Sequence, residues 1–105
     1  MTREQQIQNE IRVAISKHNC TVFRANVGKV KMDNGRWFDT GLPKGFPDLF
    51  GFRHSDGKIF FIECKNEKGR LRDDQKRFKQ FAASLPVLYG VARSAEDALK
   101  IVGEL

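Results

Sequence analysis

The chain has 105 residues and a formal net charge of +6 at pH 7, from 19 Lys and Arg against 13 Asp and Glu. This length suits a single core, and we expect residues 1–105 to form one domain. Nine Phe and a hydrophobic content of 40% exclude a disordered chain. The basic surplus indicates a polyanionic partner, although the charge alone also fits an ordinary soluble basic protein.

The cysteines and the distribution of apolar residues indicate the cellular compartment in which the protein is expected. Cys20 and Cys64 form no C-x-x-C pair, so we expect no disulfide and a reducing environment. Together with His18 and His54, they do not match the spacing of a zinc site. The first residues contain no apolar signal core, and no segment approaches the roughly 20 apolar residues of a membrane helix. We therefore expect a cytoplasmic protein without a membrane partner.

The N-terminal segment has the periodicity of a helix. Thr2, with Gln5 three residues later, is typical of a capping box at its start. The apolar residues that follow recur at helical spacing and would form one stripe facing the core. They are Ile7, Ile11, Ala14 and Ile15.

A β-hairpin is predicted next. Residues 21–32 favour one strand that Gly28 would interrupt with a bulge, and residues 36–39 favour the returning strand. The turn between them contains Asn34-Gly35, which is typical of type I′ because both residues accept positive φ angles.

The rest of the chain predicts two strands, a helix, a strand and a last helix. Asp56-Gly57 is typical of a turn between strands, and Pro86 would end the longer helix. Ser94 with Asp97 is a second capping-box pattern. The predicted elements are strands 47–52 and 58–65, a helix over 73–85, a strand over 87–92 and a helix through Ala98, Leu99 and Val102.

These elements predict an α/β fold with the order α-β-β-β-β-α-β-α. Hairpins would make the middle of the sheet antiparallel. The strand–helix–strand unit near the end would add a parallel strand by a right-handed crossover. A mixed β-sheet flanked by helices follows.

Three ionisable residues interrupt segments that otherwise favour buried strands: Asp48, Glu63 and Lys65. Such groups are rarely buried without a partner, and a divalent cation is the expected partner of two clustered carboxylates. Alternation places Glu63 and Lys65 on the same face, roughly 6–7 Å apart. The Asp56-Gly57 hairpin would bring Asp48 within reach of Glu63, unless a bulge shifts the register.

These residue types suit phosphodiester chemistry. Mg²⁺ takes one or two carboxylates and leaves positions for water and phosphate, so Asp48, Glu63 and the Cys64 carbonyl could supply its protein oxygens. The metal would lower the pKa of a bound water, which Lys65 could orient or deprotonate; Lys65 could instead neutralise charge on the phosphate. The alternative is an exposed ion pair between Glu63 and Lys65, but the apolar run at 59–62 argues against an exposed edge.

Two polar residues on the predicted helices could join the site. Glu10 borders the apolar stripe of the first helix, and Gln75 lies on the inward face of the second. Each alone is more readily explained as a satisfied buried group or a boundary residue. Together with the strand carboxylates, they indicate a polar site.

Positive charge is concentrated around these residues. Lys68-Gly69-Arg70 is a good candidate for contact with a phosphate backbone, because a loop with Gly can approach closely, whereas Lys76 and Lys79 fit a solvated helix face. Trp37 and Phe38 could stack on bases, but core packing is the expected role. The cations predicted to contact phosphates without reading sequence are Lys29, Lys31, Arg36, Lys44, Lys68, Arg70 and Arg72.

The motif Pro47-Asp48 followed by Glu63-Cys64-Lys65 resembles that of the PD-(D/E)xK nuclease superfamily. A longer match adds residues 41–48, Lys68-Gly69-Arg70-Leu71 and Gln75. This pattern is similar to the VRR-NUC family over nearly the whole chain. The family occurs as stand-alone phage and bacterial proteins and as the nuclease domain of the Fanconi anaemia-associated nuclease.

The resemblance implies a restriction-endonuclease-like α/β core and Mg²⁺- or Mn²⁺-dependent hydrolysis of phosphodiester bonds. It implies Asp48 and Glu63 as metal ligands and Lys65 as the catalytic lysine. Gln75 matches the second-helix glutamine, and Glu10 matches the first-helix glutamate, also a possible metal ligand. Stand-alone members resemble dimeric Holliday junction resolvases, so a homodimer acting on branched DNA in a bacterial or phage-infected cytoplasm is expected.

The leading hypothesis is a metal-dependent, structure-selective DNA endonuclease. The main alternative is a nucleic-acid-binding module that keeps the fold without cutting, but it would not need Asp48, Glu63 and Lys65 together. A metal-bound structural protein is a third alternative, but it would not account for the Lys and Arg residues concentrated around the site.

Overall fold

The computed structural model describes residues 1–103 of the chain. None of the helices within this range is both long and apolar enough to cross a membrane. The helices are α1 (Arg3–Ser16), α2 (Asp73–Ala83) and α3 (Ala95–Ile101). The strands are β1 (Cys20–Arg24), β2 (Lys29–Lys31), β3 (Trp37–Asp39), β4 (Leu49–Arg53), β5 (Ile59–Cys64) and β6 (Leu88–Ala92).

Two helices begin at the caps that the sequence predicts. At the start of α1, Thr2 Oγ1 accepts from the Gln5 backbone N at 3.1 Å, and Gln5 Oε1 accepts from the Thr2 backbone N at 2.9 Å. At the start of α3, Ser94 Oγ accepts from the Asp97 backbone N at 3.1 Å. These bonds satisfy backbone donors that a helix leaves free at its N-terminus.

Four strands form a mixed sheet in the order β1-β4-β5-β6. β4 pairs antiparallel with both β1 and β5, whereas β5 pairs in parallel with β6. α2 provides the connection between the two parallel strands, as such a pair requires. The predicted α/β class and the mixed sheet flanked by helices are confirmed.

The two faces of β5 meet different partners. Phe60 and Ile62 are fully buried in a hydrophobic core that they share with the isoleucines of α1 and with residues of α3. The alternate positions, Phe61 and Glu63, face α2, and the Phe61 and Phe78 rings lie 5.2 Å apart between centroids. The candidate site is therefore on the α2 side of the sheet, opposite α1.

The predicted first strand is divided into two strands of different sheets. β1 joins the main sheet, where the Ala25 backbone N just beyond it donates to Asp48 O at 2.8 Å. Gly28 has a φ of 77° and redirects the chain into β2, which pairs only with β3. The predicted bulge is therefore wrong, and the order is α-β-β-β-β-β-α-β-α, with one more strand than expected.

The turn of the β2–β3 hairpin also differs from the predicted type. The Gly35 backbone N donates to Met32 O at 2.9 Å, and Gly35 has a φ of 83°. Asn34 does not have the positive φ that type I′ requires; within residues 1–103, Asn19 is the one non-glycine residue that does. The hairpin has a three-residue loop that ends in a left-handed glycine instead.

Trp37 and Phe38 are 64% and 57% exposed, so the expected core packing is wrong. The hairpin that carries them lies outside the four-stranded sheet. None of the helices described for residues 1–103 packs against β2 or β3. Their apolar side chains therefore remain at the surface.

Candidate active site

Asp48 and Glu63 meet where β4 begins and β5 nears its end. Leu49 is opposite Ile62 in the antiparallel register, which places Asp48 opposite Glu63. The Asp48 side chain is held in place because its Oδ2 accepts from the Cys64 backbone N at 2.8 Å. The prediction that a hairpin brings these carboxyls together is confirmed.

The two carboxyl oxygens of Glu63 have different surroundings, although the residue as a whole is only 1% exposed. Oε1 accepts from Gln75 Nε2 at 3.1 Å. Oε2 is buried, and none of the N–H or O–H donors of the described residues bonds to it. A buried polar atom without a partner costs about 1–3 kcal/mol, and more when charged. This oxygen is therefore well suited to bind a cation.

Burial, together with the hydrogen bond and the charge repulsion with Asp48, raises the pKa of Glu63 to about 9. The charges of Lys65 and Arg72 lower this pKa but do not compensate. Two carboxyl groups hydrogen-bond to each other only by sharing a proton. The metal-free protein therefore favours the protonated form of Glu63, and a divalent cation bound to this carboxyl would favour the ionised form instead.

Gln75 fixes the orientation of the Glu63 carboxyl from the first turn of α2. It is 4% exposed, and its Oε1 accepts from the Arg72 backbone N at 2.9 Å. Because the amide oxygen is engaged there, the amide nitrogen is the atom presented to Glu63. The predicted inward position of Gln75 is confirmed, whereas its part in a reaction stays a prediction.

Lys65 lies directly after β5 and is 7% exposed. Its backbone N donates to Ala92 O at 3.1 Å, which extends the pairing with β6. Gly69 lies against its side chain, since a Cβ added to Gly69 would be 3.2 Å from Lys65 Cδ. Lys65 projects to the same face as Glu63 and favours the ionised form of that carboxyl.

The loop over Lys65 is held by Arg93, which sequence analysis missed. Asn66 Oδ1 accepts from the backbone N of Lys68 at 3.0 Å and of Gly69 at 2.8 Å. Arg93 Nη1 donates to the carbonyls of Asn66 and Gly69, both at 2.7 Å. No local pattern around Arg93 could have revealed these bonds, because its partners are far away in the sequence.

Tyr89 on β6 is a second residue that sequence analysis missed. It is opposite Phe61 in the parallel register, so its side chain lies on the same face as Glu63. Its hydroxyl is buried and has no hydrogen-bond partner among the described residues. Burial, together with the charges of Glu63 and Asp48, raises the pKa of Tyr89 to about 12. Side-chain alternation along β6 predicts which residues share a face with Tyr89. It does not place that face beside Glu63 unless the pairing of β6 with β5 is known.

Glu10 is not brought to the carboxyl pair. α1 packs through its isoleucines on the opposite face of the sheet, where Glu10 is exposed and interacts with the charge of Arg3. Among residues 1–103, no three Asp, Glu, His or Cys side chains form a group that could hold a metal ion. A catalytic or metal-binding role for Glu10 stays a prediction from the resemblance.

The cations predicted to contact DNA are all exposed. Arg72 also acts on the site, because its charge lowers the pKa of Glu63, and its Nε lies 3.3 Å from Asp74 Oδ1. In the preceding loop, Glu67 pairs with Arg3 at 2.9 Å. The exposed cations are Lys29, Lys31, Arg36, Lys44, Lys68, Arg70 and Arg72.

The available donor atoms fit Mg²⁺ or Mn²⁺. Asp48 and Glu63 offer carboxylate oxygens at one place, and Glu63 Oε2 has no other partner among the described residues. Hard divalent cations prefer such oxygens, and the carbonyl of Cys64 is a further candidate. The Cys64 thiol is not, because it is buried on the opposite face and burial raises its pKa.

The fold and the buried carboxyl pair define a nuclease-like α/β domain. The sequence model of the VRR-NUC domain matches residues 2–96, and the chain belongs to this family, whose nucleases are generally metal-dependent. A solved structure described as a VRR-NUC domain has a TM-score of 0.65 and 21% sequence identity, over 97% of this chain and 96% of that chain. This likeness shows the fold alone. No curated protein matches the chain.

Proposed function

We propose that the protein is a metal-dependent endodeoxyribonuclease that hydrolyses phosphodiester bonds in branched DNA, such as four-way junctions. The observation that carries this proposal is the pairing of the half-buried Asp48 with the buried Glu63, whose Oε2 receives no bond from a donor of the described residues. A purely structural carboxyl would be expected to bond its oxygens within the protein. Membership of the VRR-NUC family supports nuclease chemistry in general.

Each residue of the site would have its own task. Asp48 and Glu63 hold Mg²⁺ or Mn²⁺, with the Cys64 carbonyl as a further ligand. When bound, the cation supplies positive charge that favours ionisation of water and stabilises a negatively charged phosphate. Gln75 keeps Glu63 oriented through their 3.1 Å hydrogen bond. Lys65 orients or deprotonates the attacking water, or neutralises charge that develops on the phosphate.

Tyr89 is included in this site as a hydrogen-bond donor. Its hydroxyl is buried, has no partner among the described residues and is on the same face as Glu63. We assign it a bond to the attacking water or to a phosphate oxygen, because both are hydrogen-bond acceptors that would lie near Glu63 during the reaction. Such a bond would satisfy the hydroxyl only when the site is loaded.

A homodimer would suit a symmetric branched substrate. One copy of the chain provides one Asp48–Glu63 pair, and a two-fold dimer would present two such pairs to a four-way junction. The exposed cations would contact phosphates without reading sequence. The cytoplasm of a bacterium or of a phage-infected cell is the compartment we propose, since branched DNA arises there.

The alternative is a nucleic-acid-binding module that does not cut. The surplus of exposed cations favours binding as much as cleavage, given the net charge of +6. A binding module, however, would gain nothing from placing the buried Glu63 carboxyl against a second carboxyl, because this arrangement lowers stability. The two functions differ in one observable, which is cleavage in the presence of a divalent cation.

The test is cleavage of labelled four-way, flap, linear and single-stranded DNA with Mg²⁺, Mn²⁺ or EDTA. We expect branched DNA to be cut fastest in either metal and no DNA to be cut in EDTA. Binding without cutting in both metals would establish the alternative. Light scattering tests the dimer separately, and a monomer at micromolar concentration would contradict it.

Variants of the site residues test whether cleavage depends on the proposed site. Asp48→Asn and Lys65→Ala should each abolish cutting while DNA binding in EDTA is preserved. Asp33→Asn and Lys79→Ala change the same residue types at exposed positions and serve as matched controls. Normal cutting by the Asp48→Asn protein would refute the site assignment even if the wild type is a nuclease.

A further inference from the structure

The β2–β3 hairpin has two chemically different faces. Val30 is opposite Phe38, and both side chains point to one side. The flanking cross-strand pairs point to the other side, which combines an indole ring with ammonium groups. This second side is named the indole face, and it is formed by Lys29, Lys31, Trp37 and Asp39.

The hairpin is exposed on both faces. Trp37 is 64% exposed and Val30 is 48% exposed, and none of the described helices or sheet strands packs against β2 or β3. An isolated two-stranded ribbon is at best marginally stable in water. An indole in this position is more readily explained by a binding partner than by packing within the chain.

A groove of about 340 Å³ lies at the base of the hairpin and continues the indole face. Lys29 and Asp39 belong to both, and Lys44 is a further cation in the lining of the groove. The base itself is fixed, since Gly28 O accepts from both the backbone N and Oγ1 of Thr40 at 2.9 Å. An aromatic surface is therefore joined to a cationic concavity on a fixed support.

The charges favour a polyanion over a second copy of the same face. Lys29, Lys31 and Lys44 are exposed, and the one carboxylate among them, Asp39, already accepts from the Gly41 backbone N at 2.9 Å. Two such faces in contact would bring like charges together. A phosphate backbone is attracted by the same groups.

We propose that the indole face and its groove bind an unpaired nucleotide of DNA, with the base stacked on Trp37 and the adjoining phosphates near Lys29, Lys31 and Lys44. This inference rests on the proposed function and narrows its substrate to DNA that exposes unpaired bases, such as flaps and opened branch points. Every base presents a π-face, so this stacking tolerates any sequence. The bases of an intact duplex are already stacked on each other and are not available to the indole.

The fluorescence of Trp37 provides the test, because it is the single Trp of the chain. The protein is titrated in EDTA, which prevents cutting, with an oligothymidylate, a flap and a blunt duplex. We expect strong quenching by the first two and little by the duplex. Equal quenching by all three, or none, would overturn the inference. A fluorescence change on dilution without DNA would show that a second copy covers the indole, and it would also overturn it.

Substitutions on the two faces give a matched comparison. Trp37→Ala should weaken flap binding by roughly tenfold or more and leave blunt-duplex binding unchanged. Phe38→Ala removes an equally exposed ring from the opposite face of the same strand and should have no such effect. Trp37→Phe keeps a smaller stacking surface and should retain intermediate affinity. Equal losses in the Trp37→Ala and Phe38→Ala proteins would contradict the assignment.

Cleavage assays on the same proteins separate this inference from the proposed function. Cutting by the wild type without quenching of Trp37 would refute the inference and leave the nuclease intact. Quenching by flaps without cutting in Mg²⁺ or Mn²⁺ would refute the nuclease and support the inference.

Discussion

The carboxyl site and the β2–β3 hairpin are built in opposite ways. In the site, Glu63, Lys65 and Gln75 are 1%, 7% and 4% exposed. Gln75 bonds both Glu63 and the Arg72 backbone, and the Lys65 backbone bonds Ala92 on β6. In the hairpin, Trp37 and Phe38 are 64% and 57% exposed and rest on no helix of the described chain. Under the proposed function, the chemical step, which needs fixed geometry, would take place at the site, and the hairpin would capture the substrate.

The backbone that delivers Asp48 is as firmly packed as the site. The Phe46 ring lies 5.8, 5.7 and 5.5 Å from the rings of Phe50, Phe61 and Phe78, between centroids. Gly45 has a φ of 94°, and a Cβ there would be 2.6 Å from the carbonyl oxygen of Asp74. The chain before Asp48 is therefore fixed to both β5 and α2, which supports a precise position for its carboxyl.

The largest effect is expected for Glu63→Gln. This change keeps the size of the side chain but removes its charge, so cleavage should fall by about a thousandfold or more, since a metal contributes several kcal/mol. DNA affinity in EDTA should not change. Single-turnover cleavage and fluorescence anisotropy measure the two quantities. If the Glu63→Gln protein lost DNA affinity together with cleavage, catalysis and DNA binding would not be separated between the site and the hairpin.

The double variant Lys29→Ala/Lys31→Ala tests the other region. We expect DNA affinity to fall by roughly tenfold. In a plot of log affinity against log salt concentration, the magnitude of the slope should decrease by about 2, which is one unit for each lost phosphate contact. The cleavage rate at saturating protein should remain. Lys76→Ala/Lys79→Ala removes two exposed cations from α2 and is the matched control. An equal change in both double variants would show that only net charge matters.

Tyr89→Phe removes a single hydroxyl from the buried site. We expect a decrease of about tenfold in the single-turnover rate, the value of one hydrogen bond to a charged group. Stability in EDTA should be unchanged or higher, because the hydroxyl is buried without a partner in the described structure. An unchanged rate would remove Tyr89 from the reaction.

The last prediction concerns the stability of the metal-free protein against pH. The pKa of Glu63 is raised from 4.5 to about 9, so the metal-free folded protein keeps a proton that the unfolded chain releases. The resulting stabilisation is complete below the unfolded pKa and is lost as pH rises through the folded pKa. Denaturant unfolding in EDTA should therefore show the wild type losing stability relative to Glu63→Gln across this interval. Parallel pH profiles would contradict a protonated Glu63.

The site was more predictable than the hairpin, for a physical reason. Strand alternation and one hairpin turn are local, and they sufficed to place Glu63 with Lys65 and to bring Asp48 opposite Glu63. Helical periodicity likewise placed Gln75 inward. Burial of Trp37, in contrast, depended on whether β2 and β3 join the main sheet, and sequence periodicity does not determine this.

Tyr89 and Arg93 were not predictable because their roles depend on long-range pairing. Tyr89 reaches the site through the parallel register of β6, and Arg93 bonds the loop after β5 from the far side of the crossover. Glu10 is the reverse case, because the sequence proposed it for the site and the structure does not bring it there. Its predicted position at the edge of the apolar stripe agrees with its exposure. However, α1 packs on the face of the sheet opposite the carboxyl pair.

The central claim is that Glu63 exchanges a proton for a divalent cation, and calorimetric titration of Mn²⁺ in buffers of different ionisation enthalpy tests it most directly. Because burial and Asp48 raise the pKa of Glu63, we expect this carboxyl to lose a proton when the cation binds. The account predicts that the wild type releases about one proton per cation at neutral pH and that Glu63→Gln neither binds tightly nor releases it. Binding without proton release, or equal binding by both proteins, would contradict it.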